Sequence, residues 1–206
     1  MDAGTIRRWL VEAATAVREQ RDYLTQLDAA IGDADHGTNM DRGFAAVVEK
    51  IDDLEAAPGK LLTTAGSTLV STVGGASGPL WGTALRRAGR SLGDAEDFGL
   101  AELAAALDAA LAGVVDLGAA QEGDKTMIDA LAPAVRSLQA RSEAGDGLAE
   151  ALAAARAAGE DGMRATTPLQ AAKGRASYLG ERSIGHQDPG ATSTWLLFKA
   201  LADTTA

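Results

Sequence analysis

Apolar residues recur with helical spacing along most of this chain of 206 residues. The clearest stripe consists of Met40, Phe44, Val47, Val48, Ile51 and Leu54. Steps of three, four and seven residues place these side chains on one face of an amphipathic helix that begins near Gly37 or Thr38. A polar, glycine-containing segment precedes the stripe, so this helix begins directly after a connecting loop and not after another apolar run.

The same spacing predicts the rest of the fold. Further helices are predicted over roughly Thr5 to Leu27, from about Leu61 to Thr72, from Pro79, over Leu100 to Val115, and from near Thr126, Gly147 and Pro189. No segment shows the sustained alternation of a half-buried strand. Short joints between helices favour antiparallel neighbours. We therefore predict an all-α chain, an eight-helix antiparallel bundle or closed barrel forming one domain over residues 1–206.

Composition supports this fold and narrows the function. Hydrophobic residues make up 46% of the chain but aromatic residues only 4%, and the abundant alanine favours closely packed helices. The net charge of −10 disfavours binding to nucleic acid or to an anionic membrane surface. Without cysteine the chain offers no disulfide and no thiolate ligand or nucleophile. The sequence shows no membrane-spanning run and no secretory signal, so we expect a cytoplasmic protein.

Three carboxylates, Asp28, Asp33 and Asp35, gather around a glycine turn just before the clearest helix. At neutral pH they would repel one another unless a hard cation lay between them, which indicates a magnesium site. The helix start beside them favours anions, and a metal-bound phosphate satisfies both preferences. The alternative is that Asp28 ends one helix while Asp33 and Asp35 fill a turn, and one of them caps the next helix. A calcium-binding EF-hand is disfavoured, because the alternating ligands and terminal Glu of its loop are missing.

Three glycine-rich joints hold the other candidate chemistry. The first, 74–79, has small residues that allow a ligand to approach the backbone, or that simply permit tight helix packing. The second, 118–126, resembles a phosphate-binding P-loop only superficially, because Asp124 separates its last glycine from Lys125 and no strand precedes it. Lys125 could contact a phosphate or be an ordinary exposed lysine.

The third joint, 174–192, is long and irregular for a small chain, which is typical of binding loops. Its Arg175 could clamp a phosphate or pair with a surface carboxylate. Asp188 followed by Pro189 is a helix start, with the aspartate as N-cap and the proline in the first helical position.

Four motifs together identify a family. They are the run Leu27 to Phe44 with Gly-Asp-Ala-Asp-His-Gly, the run Gly-Gly-Ala-Ser-Gly-Pro-Leu-Trp-Gly82, the run Gly-Asp-Lys-Thr-Met-Ile-Asp129, and Gly-Arg-Ala-Ser-Tyr-Leu-Gly180 with Asp-Pro-Gly-Ala-Thr192. In this order, over nearly the whole chain, they closely resemble the nucleotide-binding L subunit of dihydroxyacetone kinases. The family's usual glycine between the second and third aspartates is Ala34 here, a change that stiffens the turn without removing a ligand.

The resemblance implies an eight-helix barrel with a nucleotide site at one end. Magnesium ions held by Asp28, Asp33 and Asp35 would bind ADP or ATP. The residues implied to contact the nucleotide are His36, Gly37, Thr38, Asn39, Ala76, Ser77, Gly118, Thr126, Met127, Arg175, Asp188, Pro189 and Gly190. This chain would supply no nucleophile, so its catalysis would be positioning and electrostatics.

The resemblance also implies partners. Dihydroxyacetone would be bound covalently to a histidine of a separate K subunit. The phosphoryl donor could be a phosphohistidine protein of the phosphotransferase system, recharging an ADP that stays bound, or it could be free ATP with the same or a related ketose. A third alternative is a regulatory protein that binds magnesium and ADP without turnover, since family members also bind transcription regulators.

Overall fold

The structure, a computed structural model, describes residues 1–205, which form nine α-helices and one 3₁₀ helix. The α-helices are α1 (Ala3–Glu19), α2 (Arg21–Ile31), α3 (His36–Ile51), α4 (Pro58–Thr72), α5 (Ser77–Leu92), α6 (Leu100–Gly118), α7 (Ile128–Ala144), α8 (Leu148–Ala165) and α9 (Pro189–Thr205). The 3₁₀ helix spans Arg175–Ser183. These residues contain no β-strand, so the predicted all-α class is confirmed.

Eight of the α-helices close into a ring. From α3 to α9 each helix packs against the next along the chain, and α1 closes the ring by packing against both α9 and α3. The remaining helix, α2, packs against α3, α9 and the 3₁₀ helix. Wholly buried side chains such as Leu10, Phe44 and Leu138 belong to the core cluster that the ring encloses. None of the helices in residues 1–205 has the length and hydrophobicity needed to cross a membrane.

The first predicted helix is in fact two. The chain leaves the helical conformation at Gln20, where φ is −99° and ψ is 9°, so α1 ends at Glu19 and α2 begins at Arg21. The break falls within a run of polar residues, 18–22, where no apolar residue marks the change of direction. Val17 and Leu24, on either side of it, are both wholly buried and keep a helical spacing of seven residues. The hydrophobic pattern therefore continues across the break and by itself predicts one helix instead of two.

The α4 and α5 helices cross closely because glycines face each other at their contact. A Cβ atom placed on Gly66 would lie 2.6 Å from the carbonyl oxygen of Gly82, and one on Gly82 would lie 2.7 Å from the carbonyl oxygen of Gly66. This crossing holds the joint between the two helices at one end of the ring. The α5 helix begins at Ser77, two residues before the predicted start at Pro79. Proline is tolerated there because first-turn N–H groups have no partner within the helix.

Candidate nucleotide and metal site

The three aspartates of the sequence motif meet in space. Asp28 lies near the end of α2, Asp33 lies in the connection, and Asp35 is the N-cap residue of α3. One carboxylate oxygen from each lies within 4.8 Å of the other two. Oxygen atoms at this separation suit a hard divalent cation placed between them, and Mg²⁺ prefers such ligands.

Each aspartate has a different set of neighbours. Asp28 is buried, and its Oδ2 accepts hydrogen bonds from the backbone N–H groups of Asp35 and His36, at 2.9 and 3.1 Å. Asp33 forms an ion pair with Arg175 at 3.0 Å. Asp35 is exposed, and its side chain makes no capping hydrogen bond to α3. The structure thus differs from the predicted alternative, because Asp28 and not Asp35 binds N–H groups at the start of α3, and Asp28 also belongs to the cluster.

The turn that carries the cluster is strained. Ala34 has a φ of +63°, in the left-handed region that residues with a side chain rarely adopt. A glycine would adopt this conformation at little cost. The alanine therefore does more than stiffen the turn, because it raises the energy of the conformation that brings the aspartates together.

A cavity of about 410 Å³ opens beside the aspartates at one end of the ring. The first residues of α3, α5 and α9, and Ile128 at the start of α7, line it. Because alternate helices begin at the same end, neighbouring helices of the ring run in opposite directions. Four helix N-termini, each with a partial positive charge, therefore surround one space that suits an anion.

Most of the residues implied to contact a nucleotide line this cavity. They are His36, Asn39, Ala76, Ser77, Gly118, Thr126, Met127, Arg175, Asp188, Pro189 and Gly190, together with the three aspartates. Two others, Gly37 and Thr38, do not line it. A Cβ atom on Gly37 would collide with the carbonyl oxygen of Arg21, so this glycine allows α2 and α3 to pack together. Thr38 lies exposed outside the cavity.

His36 joins three of the helix starts. Its Nδ1 lies 3.2 Å from the hydroxyl of Ser77, and its Nε2 lies 3.0 Å from the hydroxyl of Ser193. The Ser193 hydroxyl donates to the carbonyl of Gly190, so it accepts from Nε2–H, and Nδ1 accepts from Ser77. Burial lowers the pKa of His36, although Asp28 and Asp35 act in the opposite direction. We infer a neutral imidazole that fixes the orientation of Ser77.

Asn39 is oriented in a similar way. Its Oδ1 accepts a hydrogen bond from the Arg42 guanidinium at 2.8 Å, and the same guanidinium donates to the carbonyl of Thr72 at the end of α4. The amide nitrogen of Asn39 is the atom nearest to a Cβ placed on Gly74. Arg42, to which the sequence analysis gave no role, therefore ties Asn39 to the end of α4.

Asp129 organises the joint before α7. Its two carboxylate oxygens accept from the backbone N–H groups of Gly123, at 2.6 Å, and Thr126, at 2.7 Å. Asp129 belongs to one of the four sequence motifs, but no role was predicted for it. An aspartate in the first turn of a predicted helix, three residues after a threonine, was the available signal.

Asp188 caps α9, as the sequence predicts. Its Oδ2 accepts from the N–H of Ala191 at 2.7 Å, and Pro189 is the first residue of the helix. Burial, reinforced by the negative charges of Asp129 and Asp28, raises the pKa of Asp188 to about 7. The hydrogen bond from Ala191 and the charge of Lys125 act in the opposite direction.

Lys125 is buried, so the prediction of an ordinary exposed lysine is wrong. The alternative, contact with a phosphate, stays a prediction, and the hydrogen bonds of Nζ disfavour it. Only 1% of its surface is accessible. Its Nζ donates to backbone carbonyl groups of the long joint between α8 and α9. Burial lowers the pKa of Lys125, and the nearby carboxylates of Asp188 and Asp129 counter this effect.

The charges of the aspartate cluster do not balance without a ligand. Asp28, Asp33 and Asp35 bring three carboxylates within 4.8 Å of one another. Among the described residues, the ion pair between Asp33 and Arg175 is the one that a member of this cluster forms. A purely anionic ligand would be repelled by the carboxylates, whereas an anion bound together with divalent cations suits both the helix N-termini and the aspartates.

Comparison with known proteins gives a consistent result. A family model for the DAK2 domain matches residues 30–203. The chain is 46% identical over 198 residues to the "PEP-dependent dihydroxyacetone kinase, ADP-binding subunit DhaL" of Escherichia coli, covering 96% of this chain and 94% of that protein. It is 37% identical to the "PTS-dependent dihydroxyacetone kinase, ADP-binding subunit DhaL" of Lactococcus lactis, covering 98% of this chain and 97% of that protein.

Solved structures show the same fold. The dihydroxyacetone kinase of C. freundii matches 98% of this chain with a TM-score of 0.74 and 29% identity, and this chain spans 34% of that longer one. The same kinase in complex with AMP-PNP and Mg²⁺ matches with a TM-score of 0.73 and 28% identity.

Proposed function

Because this chain belongs to the DAK2 domain family, we propose that it is the ADP-binding subunit of a dihydroxyacetone kinase. It would pass a phosphoryl group from a magnesium-bound nucleotide to dihydroxyacetone held on a separate K subunit. One observation carries the proposal: three aspartate oxygens lie within 4.8 Å of one another at a cavity that four helix N-termini surround. The names of the relatives from Escherichia coli and Lactococcus lactis support the assignment.

The residues present fit a metal-bound nucleotide. Asp28, Asp33 and Asp35 offer the hard oxygen ligands that Mg²⁺ prefers. Bound there, Mg²⁺ would neutralise phosphate oxygens and stabilise the charge of the transferring group. Asp28 is held in place by two backbone N–H groups, so it would meet the metal with little reorganisation.

The chain's own residues would then position the nucleotide. The N–H groups at the starts of α5 and α9 would donate to phosphate oxygens, while the starts of α3 and α7 would contribute their partial positive charge. Arg175, now paired with Asp33, carries five N–H donors in a planar fork that matches a phosphate, and a metal at Asp33 would free it for that contact. Among the residues proposed to contact nucleotide, Gly37 would act by letting α2 and α3 pack together, and Thr38 lies exposed outside the cavity.

We propose a phosphohistidine protein of the phosphotransferase system as donor, with ADP remaining bound between turnovers. The names "PEP-dependent" and "PTS-dependent" among the similar proteins support this choice. A kinase that uses free ATP and a related ketose is the second candidate. The name "L-erythrulose 1-kinase" of a relative from Mycolicibacterium smegmatis supports the ketose; this relative is 40% identical over 188 residues, which cover 87% of this chain and 32% of that protein. The third alternative is a regulatory protein that binds magnesium and ADP without turnover.

Turnover with labelled nucleotide tests the proposal. The purified chain is loaded with radiolabelled ADP and Mg²⁺ and mixed with dihydroxyacetone, the cognate K subunit and the phosphohistidine donor. Product should accumulate in large excess over protein while the label stays bound, and omission of the K subunit should abolish product. The Asp35→Asn variant is the matched control, since it keeps the fold and removes one proposed metal ligand.

Other outcomes would contradict the proposal. Rapid loss of the label, with free ATP alone sustaining turnover, would establish the ATP-dependent kinase instead. Retained ADP without any phosphoryl transfer would leave only the regulatory role. Product formed by this chain without a partner would overturn its assignment as a subunit that lacks the ketone site.

A further inference from the structure

Lys125 is the most deeply buried cation of the chain, and the proposed chemistry does not use it. Its Nζ donates to the carbonyl oxygens of Thr166, Leu169, Ser183 and His186 at 2.9, 3.0, 2.8 and 2.5 Å, and the carbonyl of Thr167 lies at 3.5 Å. All five carbonyls belong to residues 166–186, which connect α8 to α9. A single side chain thus binds the backbone at five positions of a connection of about twenty residues.

The acceptors require a positive charge. An ammonium group has three N–H donors, so the convergence of five carbonyl oxygens on it is mainly electrostatic. Thr166 follows the last turn of α8 and Ser183 ends the 3₁₀ helix, where backbone carbonyls carry partial negative charge. A neutral side chain of the same length would leave buried carbonyls without a partner.

The same connection carries residues of the candidate site. Arg175 begins the 3₁₀ helix, and Asp188 follows directly after the segment that Lys125 gathers. The N–H of Asp188 donates to the hydroxyl of Thr166 at 3.0 Å, next to one of the carbonyls that Lys125 binds. The N–H of Ala172 donates to the carbonyl of Asp124, the residue before Lys125.

The backbone at Lys125 is also held in an unusual conformation. Its φ is +63°, in the left-handed region, and such a conformation persists at a non-glycine residue only where the surroundings fix it. On either side, the N–H groups of Gly123 and Thr126 are held by Asp129. Thr126 and Met127 then line the cavity. Lys125 therefore connects two walls of the cavity, the joint before α7 and the connection before α9.

We propose that Lys125 is a positioning residue, which holds residues 166–188 in the arrangement that brings Arg175 and Asp188 to the cavity and thereby sets how slowly the nucleotide dissociates. This inference rests on the proposed nucleotide site. Lys125 acts through the backbone that it binds and takes no part in phosphoryl transfer. Loss of its charge should loosen one wall of the cavity while the ring of helices remains.

The test compares Lys125→Met with Lys60→Met, in which an exposed lysine remote from the cavity is replaced. Dissociation of a fluorescent ADP in the presence of Mg²⁺ is measured by displacement with excess ADP. We expect at least tenfold faster release from Lys125→Met, with a much smaller change in the association rate, and the wild-type rates for Lys60→Met. Hydrogen exchange of residues 166–187 should be faster in Lys125→Met without nucleotide, whereas exchange in α4 and α5 should be unchanged.

Chemical rescue separates the charge from the side-chain volume. Because the chain has no cysteine, Lys125→Cys introduces a single thiol. Alkylation of the unfolded variant with 2-bromoethylamine, followed by refolding, restores an ammonium at the length of lysine, and alkylation with 1-bromopropane gives a neutral side chain of equal length. Refolded wild-type protein is the reference. The aminoethyl form should release ADP at the reference rate and the propyl form at least tenfold faster.

Three outcomes would overturn the inference. One is release of ADP from Lys125→Met at the wild-type rate. Another is equal release from the aminoethyl and propyl forms. The third is the absence of a cooperative unfolding transition in both Lys125→Met and the propyl form, which would make Lys125 a residue required for folding. Failure of the proposed function gives a different result, because wild type and Lys60→Met would then also bind no Mg-ADP. Hydrogen exchange of residues 166–187 without nucleotide would in that case decide whether Lys125 holds the segment.

Discussion

Replacing one carboxylate of the aspartate cluster with an amide should have a different effect at each of the three positions. Two unit charges 4.8 Å apart repel by about 0.9 kcal/mol in water, and more where water is partly excluded. Asp35→Asn removes two such repulsions and no capping hydrogen bond. In the absence of metal this variant should gain about 1–2 kcal/mol, which for a domain of this size raises Tm by roughly 2–8 °C.

The other two positions should gain less. The Asp28 carboxylate accepts two N–H groups at the start of α3, where a negative charge typically contributes about 0.3–1 kcal/mol, and up to about 2 when partly buried. Asp28→Asn should therefore have a Tm close to that of wild type. Asp33→Asn loses the exposed ion pair with Arg175, which contributes about 0–1 kcal/mol, and should fall between the other two.

Thermal unfolding with and without ligand checks both parts of the prediction. Mg-ADP at about 100 times its Kd should stabilise wild type by about 2.7 kcal/mol, and this gain should be lost in all three variants. Asp53→Asn, at an exposed carboxylate just after α3, is the control and should keep the full gain. An undiminished ligand-induced shift in Asp35→Asn would refute the metal site. A metal-free Asp28→Asn that is as stable as Asp35→Asn would refute the role of Asp28 as a cap.

Two further predictions concern backbone strain and pH. Ala34→Gly should stabilise the metal-free protein by up to about 1 kcal/mol in denaturant unfolding. Glycine relieves the left-handed strain at this position but increases the entropy of the unfolded chain, which reduces the gain. A loss of stability would show that the strain is absent. Burial holds the pKa of Asp188 at about 7 in the folded protein, against 3.8 for an ordinary aspartate, so its contribution to stability is full below pH 3.8 and is lost as pH rises through 7. The unfolding free energy of the metal-free protein should therefore fall between these values, by at most about 1.4 kcal/mol per pH unit from this group, and Asp188→Asn should show a shallower slope in the same titration.

Helical periodicity predicted the ring well because the core faces of its helices are long and regular. The stripe from Met40 to Ile51 is almost wholly buried in α3, as the pattern indicates. The break at Gln20 escaped prediction for a physical reason. Its neighbours are polar and exposed, and the close approach of the Arg21 carbonyl to Gly37 is a tertiary contact, which a local pattern does not contain.

The position of a site residue could be predicted from the sequence where few other structural roles suit that residue type. Three aspartates in eight residues repel one another in any compact arrangement, so their meeting at one cavity follows from the sequence and a cation. Gly37 and Lys125 show the limit of this reasoning. A glycine at a helix start serves a ligand or a helix contact equally well, and the sequence does not reveal that the carbonyl of Arg21 occupies the space beside Gly37. A lysine in a polar joint is usually exposed, and only the folded connection between α8 and α9 supplies the carbonyls that bury it.

The cavity joins two electrostatic features that would be unfavourable apart. Four helix N-termini attract an anion, but the carboxylates beside them repel it. The aspartates attract a cation, but the partial positive charges of the N-termini repel it. A metal-bound phosphate resolves both conflicts at once, since its cation meets Asp28, Asp33 and Asp35 while its oxygens meet the N–H groups. Each component should therefore bind far more weakly alone than together. Coupling of this kind would keep ADP in place after a phosphoryl group has left, as long as the metal remains bound to the aspartates.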